Sequence, residues 1–304
     1  MMGTISVGKT KRAKKRKNHD IPWAFLMLLP NLAGFLLFMV GPVIATFIFS
    51  FTEYDLLEPM KFVGFQNYIE MAQDPIIRQT LLNTIVYTVL TVPIGMCISL
   101  GLAVLLDQNI MLQRFYRGVY FLPSITSMVA VSVVWQWMYN PEFGILNHLL
   151  SIFSIPPQKW LSSSATSLIS VSIVGIWKNA GYNMMLFLAG LQNISVTYYE
   201  AAELDGANVW DKFIRITLPM MRPTISFVFI MSIISSFQVF DSVHLMTGGG
   251  PGRSSSVLVH YLYQNAFQYF RMGYACAIAY LLFGLVLIIT YINMQNDKKL
   301  REIY

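Results

Sequence analysis

Three groups of residues in this 304-residue chain have types and spacings suited to chemistry. The first is Gly3-Thr4-Ile5-Ser6-Val7-Gly8-Lys9-Thr10, which fits the phosphate-loop pattern G-x-x-x-x-G-K-[ST]. Such a loop cradles phosphate only where a strand precedes it and a helix follows. Two residues precede this one and a basic run follows, so it reads as a decoy in an unstructured tail. ATP, if used, is expected on another chain. The second group is the stretch from Thr197 to Pro219. Thr197 and Glu200 have capping-box spacing and are expected to start a helix. Gly206 interrupts it after about two turns, and Asn208 is placed to cap a second short helix. Val209, Phe213 and Ile216 then share one apolar face, and Pro219 and Pro223 mark the entry to the next long helix. An acidic half followed by an apolar half suits docking onto another protein. The third group is polar and lies inside apolar runs. Lys178, Asn179, Tyr182 and Asn183 fall on one helical face, and Ser232, Ser235, Ser236 and Gln238 precede Asp241. A charge at a helix centre in a bilayer costs about 2.5–3.5 kcal/mol, so Lys178 and Asp241 are expected to pair with each other or to meet a ligand. Hydroxyls, amides and an aromatic face are what a sugar site needs; the alternative for the serines is helix–helix packing. His244 reads as interfacial rather than as a ligand.

No Ser–His–Asp set, carboxylate pair or His/Cys metal spacing stands out, so neither catalysis nor a metal site is expected. Cys97 and Cys276 lie inside apolar runs and read as small packing residues. The elements that must carry these residues follow from composition. Hydrophobic residues make up 55% of the chain and charged residues 12%, where soluble domains carry about 25% charge. Mean hydropathy is +0.54. Marking every Asp, Glu, Lys and Arg leaves six long apolar runs, the fourth broken only by Lys178 and the fifth continuing past Asp241, each able to cross an apolar layer of about 30 Å as a helix. The expected architecture is all-α and polytopic, with six transmembrane helices near 22–51, 79–106, 118–140, 166–191, 223–246 and 272–295. Residues 1–20 form a basic tail, 21–304 the membrane domain, and 192–222 a loop on the tail's side. A short apolar stretch at 143–155 is expected to lie on the outer surface and 254–270 to form an interfacial or re-entrant helix, with a Gly-rich loop at 247–252 between span five and the latter.

Seven of the 21 Lys and Arg precede the first run. Their placement suits anionic lipid rather than nucleic acid, since no groove-reading module accompanies them. The first apolar run is too long for the core of a cleaved signal peptide. With the tail inside, fifteen of the basic residues fall on the inner side and five on the outer, with Lys178 intramembrane. The positive-inside rule therefore predicts that both termini face the cytoplasm. The tryptophans near span ends read as an interfacial belt.

The fixed residues Glu200, Ala201, Ala202, Gly206, Ile216, Leu218 and Pro219 match, at every spacing, the E-A-A-three-Gly-nine-Ile-one-Leu-Pro signature of permeases from bacterial binding-protein-dependent ABC importers. Phe62–Tyr68, Phe121–Ser124, Trp135–Gly144 and Met246–Pro251 resemble the maltose- and glycerol-phosphate-type branch, and within it the first of two permease subunits. The resemblance implies a type I importer permease fold in the cytoplasmic membrane. It implies a coupling helix at 192–222 that docks on a separate ATPase. The implied partners are a second, different permease, two ATPase copies holding ATP and Mg, and an extracytoplasmic solute-binding protein. The chain itself would hold no cofactor. The implied cargo is a carbohydrate; glycerol-3-phosphate or a related polar solute is the alternative, and a secondary transporter a remoter one. Aligned with maltose-type permeases, Tyr182, Ser232, Ser235 and Ser236 fall where that branch lines its sugar cavity. Only Tyr182 and Ser232 keep its side chains, so a different sugar is expected. Asn179, Gln238 and Asp241 complete the expected solute pathway.

Overall fold

The structure is a computed structural model and describes residues 20–108 and 110–301. The decoy loop and the basic tail lie outside the described residues. The chain divides into two units, one ending at Ile48 and the other beginning at Phe49. The first unit holds α1 (Asp20–Phe35), a π turn at Leu36–Val40, and the start of α2 (Gly41–Phe49). At the π turn the Gly41 N–H reaches back to the Leu36 carbonyl, which accommodates Pro42 one residue later. Leu26–Phe49 is apolar enough to cross a membrane, and none of its most apolar stretch is buried.

The second unit opens with a two-stranded ribbon, β1 (Thr52–Glu53) against β2 (Lys61–Phe62), antiparallel with Thr52 opposite Phe62. Then follow α3 (Gln66–Gln73), α4 (Pro75–Leu106), α5 (Gln113–Ile125), α6 (Met128–Met138), α7 (Ile145–Ile152) and α8 (Ser167–Gln192). The remainder is α9 (Val196–Leu204), α10 (Val209–Lys212), a π turn at Phe213–Thr217, α11 (Leu218–Phe237), α12 (Asp241–Met246), α13 (Leu258–Tyr263) and α14 (Met272–Arg301).

α4 starts where Asp74 caps it, accepting the Ile76 N–H at 2.8 Å, with Pro75 in the first turn. The hydroxyls of Tyr261 and Tyr274 also donate to Asp74, at 2.7 and 2.8 Å. Burial works against the Asp74 carboxylate, but these donors outweigh it and hold its pKa below the ordinary value. Along α4, Thr80, Thr84, Thr88 and Thr91 each donate to a carbonyl four residues back, so no hydroxyl on this stripe is left bare in apolar surroundings. α4 packs along α8 and α11. Small residues make the closest crossings: a Cβ on Gly175 would meet the Tyr87 hydroxyl, and one on Gly181 the Tyr120 carbonyl. Several buried cores result, of which two flank α8. One gathers Tyr87, Tyr139, Val171, Val174 and Val243; the other gathers Met184, Phe187, Leu188, Met221 and Val228.

Leu82, Ile85, Val89, Ile94 and Ile98 of α4 point outward, as do Phe283, Leu287, Ile288 and Tyr291 of α14. An apolar face of that extent needs lipid or another protein against it. Among the described residues, four helices are long and apolar enough to span a membrane, and five if one bent pair counts as a single span. That pair corrects an expectation. The run 118–140, expected as one span, is α5 and α6 bent by 98°. Pro123 lies in the last turn of α5, and Thr126 and Ser127 are extended. The fifth expected span, 223–246, is also broken: α11 ends at Phe237 and α12 begins at Asp241. In the other direction α11 is longer than expected, because helix continues without a break from Val209 to Phe237. Pro219 does not divide it, since the π turn hands the Leu218 N–H to the Phe213 carbonyl just before the residue that has no N–H to give.

Candidate functional site

α4, α8, α11 and the start of α12 enclose a cavity of about 410 Å³. All seven residues of the expected solute pathway line it: Asn179, Tyr182, Ser232, Ser235, Ser236, Gln238 and Asp241. The reason is local. Asn179, Tyr182 and Asn183 stand at i, i+3 and i+4 on α8, so they share a face. Ser232, Ser235 and Ser236 repeat that spacing on α11, and the chain break after Phe237 brings Gln238 and Asp241 round to the same space. Tyr182 is half exposed, so its ring forms an open aromatic wall. Asn183 donates to Ser232 at 3.4 Å across the helix pair, and Asn179 donates to its own Gly175 carbonyl at 3.0 Å. Ser236 is different. It is buried, with its Oγ 2.8 Å from the Ile233 carbonyl and 3.0 Å from Thr88 Oγ1 on α4. Its hydroxyl is committed to helix packing, the alternative the sequence left open for the serines.

The structure resolves the lysine of α8 against the ion pair. Lys178 Nζ donates to the carbonyls of Pro123 at 3.1 Å, Ser124 at 3.4 Å and Thr126 at 2.6 Å. Those carbonyls lie at the C-terminal end of α5, where the Pro123 carbonyl also accepts the Thr126 N–H and a cation meets the negative end of the helix dipole. Lys178 is therefore the C-terminal cap of the bent helix and forms no salt bridge with Asp241. Asp241 lies exposed on the cavity wall with no ion pair among the described residues.

Trp135, Tyr139, Trp160 and Trp177 form a connected aromatic cluster, with neighbouring ring centroids 5.3–5.5 Å apart. Of the tryptophans read as interfacial, Trp135 thus packs on Trp177, and Trp160 joins them through Tyr139. At the rim Phe240 stacks on His244 at 5.0 Å, and His260 stands 5.7 Å from His244. Burial, then the neighbouring His244 and Arg253, push the His260 pKa down to about 4, so it is neutral at pH 7.

The second site is the helical hairpin α9–α10. Its N-terminal cap differs from the expected one. Ser195 occupies the cap position and Thr197 lies inside the first turn, its hydroxyl 2.8 Å from Ser195 Oγ. Glu200 closes no capping box and is exposed. The turn is built as a Schellman motif: Gly206 has φ +77°, its N–H meets the Glu203 carbonyl, and the Ala207 N–H meets that of Ala202. Asn208 then caps α10, accepting the Asp211 N–H at 2.9 Å, and Asp211 returns the contact to complete a capping box. Two further contacts brace the arms, Lys212 to Glu203 at 2.6 Å and Tyr199 to Thr217 at 2.9 Å. Neither was legible in the sequence, since 9 and 18 residues separate the partners. Leu204, Val209, Trp210 and Ile214 stand exposed at the tip. Expected as part of an apolar face with Phe213 and Ile216, Val209 instead projects outward while those two are half-buried.

Comparison with known proteins places both sites in a family. Residues 77–297 match the family described as binding-protein-dependent transport system inner membrane component. The probable ABC transporter permease protein YurN of Bacillus subtilis is 35% identical over 94% of this chain and 99% of its own. The sulfoquinovosyl glycerol transport system permease protein SmoG of Agrobacterium fabrum is 33% identical over 90% and 89%. The arabinooligosaccharides transport system permease protein AraP of Bacillus subtilis is 32% identical over 89% and 87%. In fold, the chain superposes with a TM-score of 0.82 on a chain of a bacterial ABC transporter involved in alginate import, at 24% identity, covering 93% of this chain and 98% of that one. That is the type I importer permease fold, and the chain belongs to the family of inner membrane components of binding-protein-dependent transport systems.

Proposed function

We propose that this chain is one of two different permease subunits of an ATP-driven importer, and that it passes a carbohydrate through the cavity between α4, α8 and α11. The observation that carries the reading is that wall. Hydroxyls and amides converge there beside the Tyr182 ring, in a space of about 410 Å³ inside an otherwise apolar bundle. Sugars are held by that combination of hydrogen-bonding groups and an aromatic face. The relatives named for sulfoquinovosyl glycerol and arabinooligosaccharides support the same class. The hairpin Val196–Lys212, with its exposed apolar tip and free Glu200, serves as the coupling helix on a separate ATPase, which holds ATP and Mg. A solute-binding protein delivers cargo from outside.

In this reading the membrane is crossed six times, with both termini in the cytoplasm. α8 supplies a crossing that apolarity alone does not mark: it has 26 residues, about 39 Å of helix, and Lys178, Asn179, Tyr182 and Asn183 face the cavity. The test is uptake by the complete transporter in proteoliposomes. Tyr182→Ala removes one cavity hydrogen-bonding group, worth about 1–3 kcal/mol, and should lower sugar uptake roughly tenfold while the complex still assembles. Unchanged rate and selectivity would remove this cavity from the pathway.

A further inference from the structure

We infer that Asp241 sets the charge class of the solute: the cavity accepts uncharged or cationic polyhydroxylated solutes and turns anionic ones away. The inference rests on the reading of this cavity as the solute pathway.

The wall carries two formal charges, Lys178 and Asp241, and its other polar side chains are neutral. The two charges are not equivalent. A lysine ammonium has three N–H donors, and the three carbonyls of Pro123, Ser124 and Thr126 take them up. Lys178 therefore has no donor left for a ligand, and its charge is answered by the end of α5. Asp241 has no such partner. It is exposed on the wall, it joins no ion pair among the described residues, and the break between Phe237 and Asp241 turns it towards the serines of α11.

The chemistry follows from that asymmetry. A carboxylate is an acceptor with two oxygens and no donor. Two adjacent sugar hydroxyls can donate to it together, one to each oxygen, while Gln238 and Ser232 offer donors and acceptors beside it. An ammonium on the solute would add a charge-assisted bond. A uronate, sulfate or phosphate would meet a like charge on the cavity wall, with no free cation among the wall residues to offset it. The same asymmetry weighs against glycerol-3-phosphate as cargo.

The test uses the purified permease pair with its ATPases and without the solute-binding protein, so that selection by that protein is removed. Equilibrium binding is measured for three probes of similar size: maltotriose, the glucosamine trimer and trigalacturonate. The expected result is binding of the first two and at least tenfold weaker binding of trigalacturonate. Asp241→Asn should narrow that gap to less than threefold and weaken the glucosamine trimer, and Asp241→Glu should restore the wild-type order. Size-exclusion retention of the ATPases confirms that each variant is assembled; if Asp241→Asn is not, Asp241→Ser is measured in its place. Equal binding of all three probes by the wild type, or ratios unchanged in the assembled variants, overturns the role of Asp241 alone. Absence of binding by every probe overturns the saccharide reading of the cavity, and this inference with it.

Discussion

At the scale of single residues, a lysine in an apolar helix stands at the end of a neighbouring helix. Leaving a charge bare at that depth costs about 2.5–3.5 kcal/mol, yet Lys178 is retained in α8 by hydrogen bonds to three main-chain carbonyls rather than by a carboxylate. Its task is to hold the end of α5 where Pro123 and Thr126 break the helix. Lys178→Met keeps the length of the side chain and removes the donors. The carbonyls of Pro123, Ser124 and Thr126 would lose the ammonium they share, and the 98° bend between α5 and α6 would lose its latch. Transport is expected to fall more than tenfold, with a drop in thermal stability of the detergent-solubilised complex. Lys178→Arg should recover most of both, because guanidinium donors can still reach the same oxygens. Equal transport by Lys178→Met and wild type would show that the bend holds itself. Asp241→Asn should leave thermal stability unchanged, since no ion pair joins the two residues.

At the scale of elements, the hairpin between α9 and α10 stands on one backbone conformation. Gly206 sits at φ +77° with open space around its Cα, so a larger residue meets strain in the backbone rather than a clash. Gly206→Val would drive φ negative and undo the Schellman turn. Lys212 on α10 would be carried away from Glu203 and the exposed Trp210 re-aimed. The expected outcome is an inserted permease pair that loses its ATPase more readily in detergent and shows no ATPase stimulation by loaded solute-binding protein. Normal retention and uptake would put the coupling elsewhere. Thr197→Ala, by contrast, should be nearly silent, because Thr197 is not the cap. This hairpin also shows what the sequence disclosed. Asn208 was readable as a cap and Gly206 as the turn, because both depend on chemistry local to a few residues. The cap at Ser195 was missed because Thr197 and Glu200 have the right spacing two residues too late. The existence of α4, α8 and α14 was legible as apolar runs, and the shared faces of α8 and α11 as spacing. The bends were not. An uncharged run looks the same whether straight or folded at Thr126 or at Val239, and the π turn that carries helix through Pro219 leaves no mark in residue type. The partners of Lys178 are main-chain atoms, which no pattern of side chains displays.

At the scale of the whole molecule, two features decide how the chain must be used: its basic residues are unevenly placed, and its apolar faces are unanswered. Fifteen of 21 Lys and Arg fall on one side of the proposed six-span topology, which orients the tail to the cytoplasm. A cysteine at Ser6 should therefore react with an impermeant maleimide only in inverted vesicles, and one at Ser163 only in intact cells; labelling of position 6 from outside would reverse the map. The second feature concerns partnership. α4 and α14 expose long apolar faces, while the cavity is walled on the described side by α4, α8, α11 and α12. In the proposed assembly a second permease would supply the rest of the pathway, and its hairpin would meet a second ATPase. Two copies of this chain would place two Asp241 carboxylates and two Trp210 tips in a symmetric assembly. The resemblance implies a heterologous pair, in which the partner brings a different wall. Co-expression of this chain with the ATPase and solute-binding protein alone should therefore give no uptake, and adding the second permease should restore it. Uptake by the homodimer, at a rate comparable to the full set, would show that one chain builds both halves of the pathway and that the asymmetry is not required.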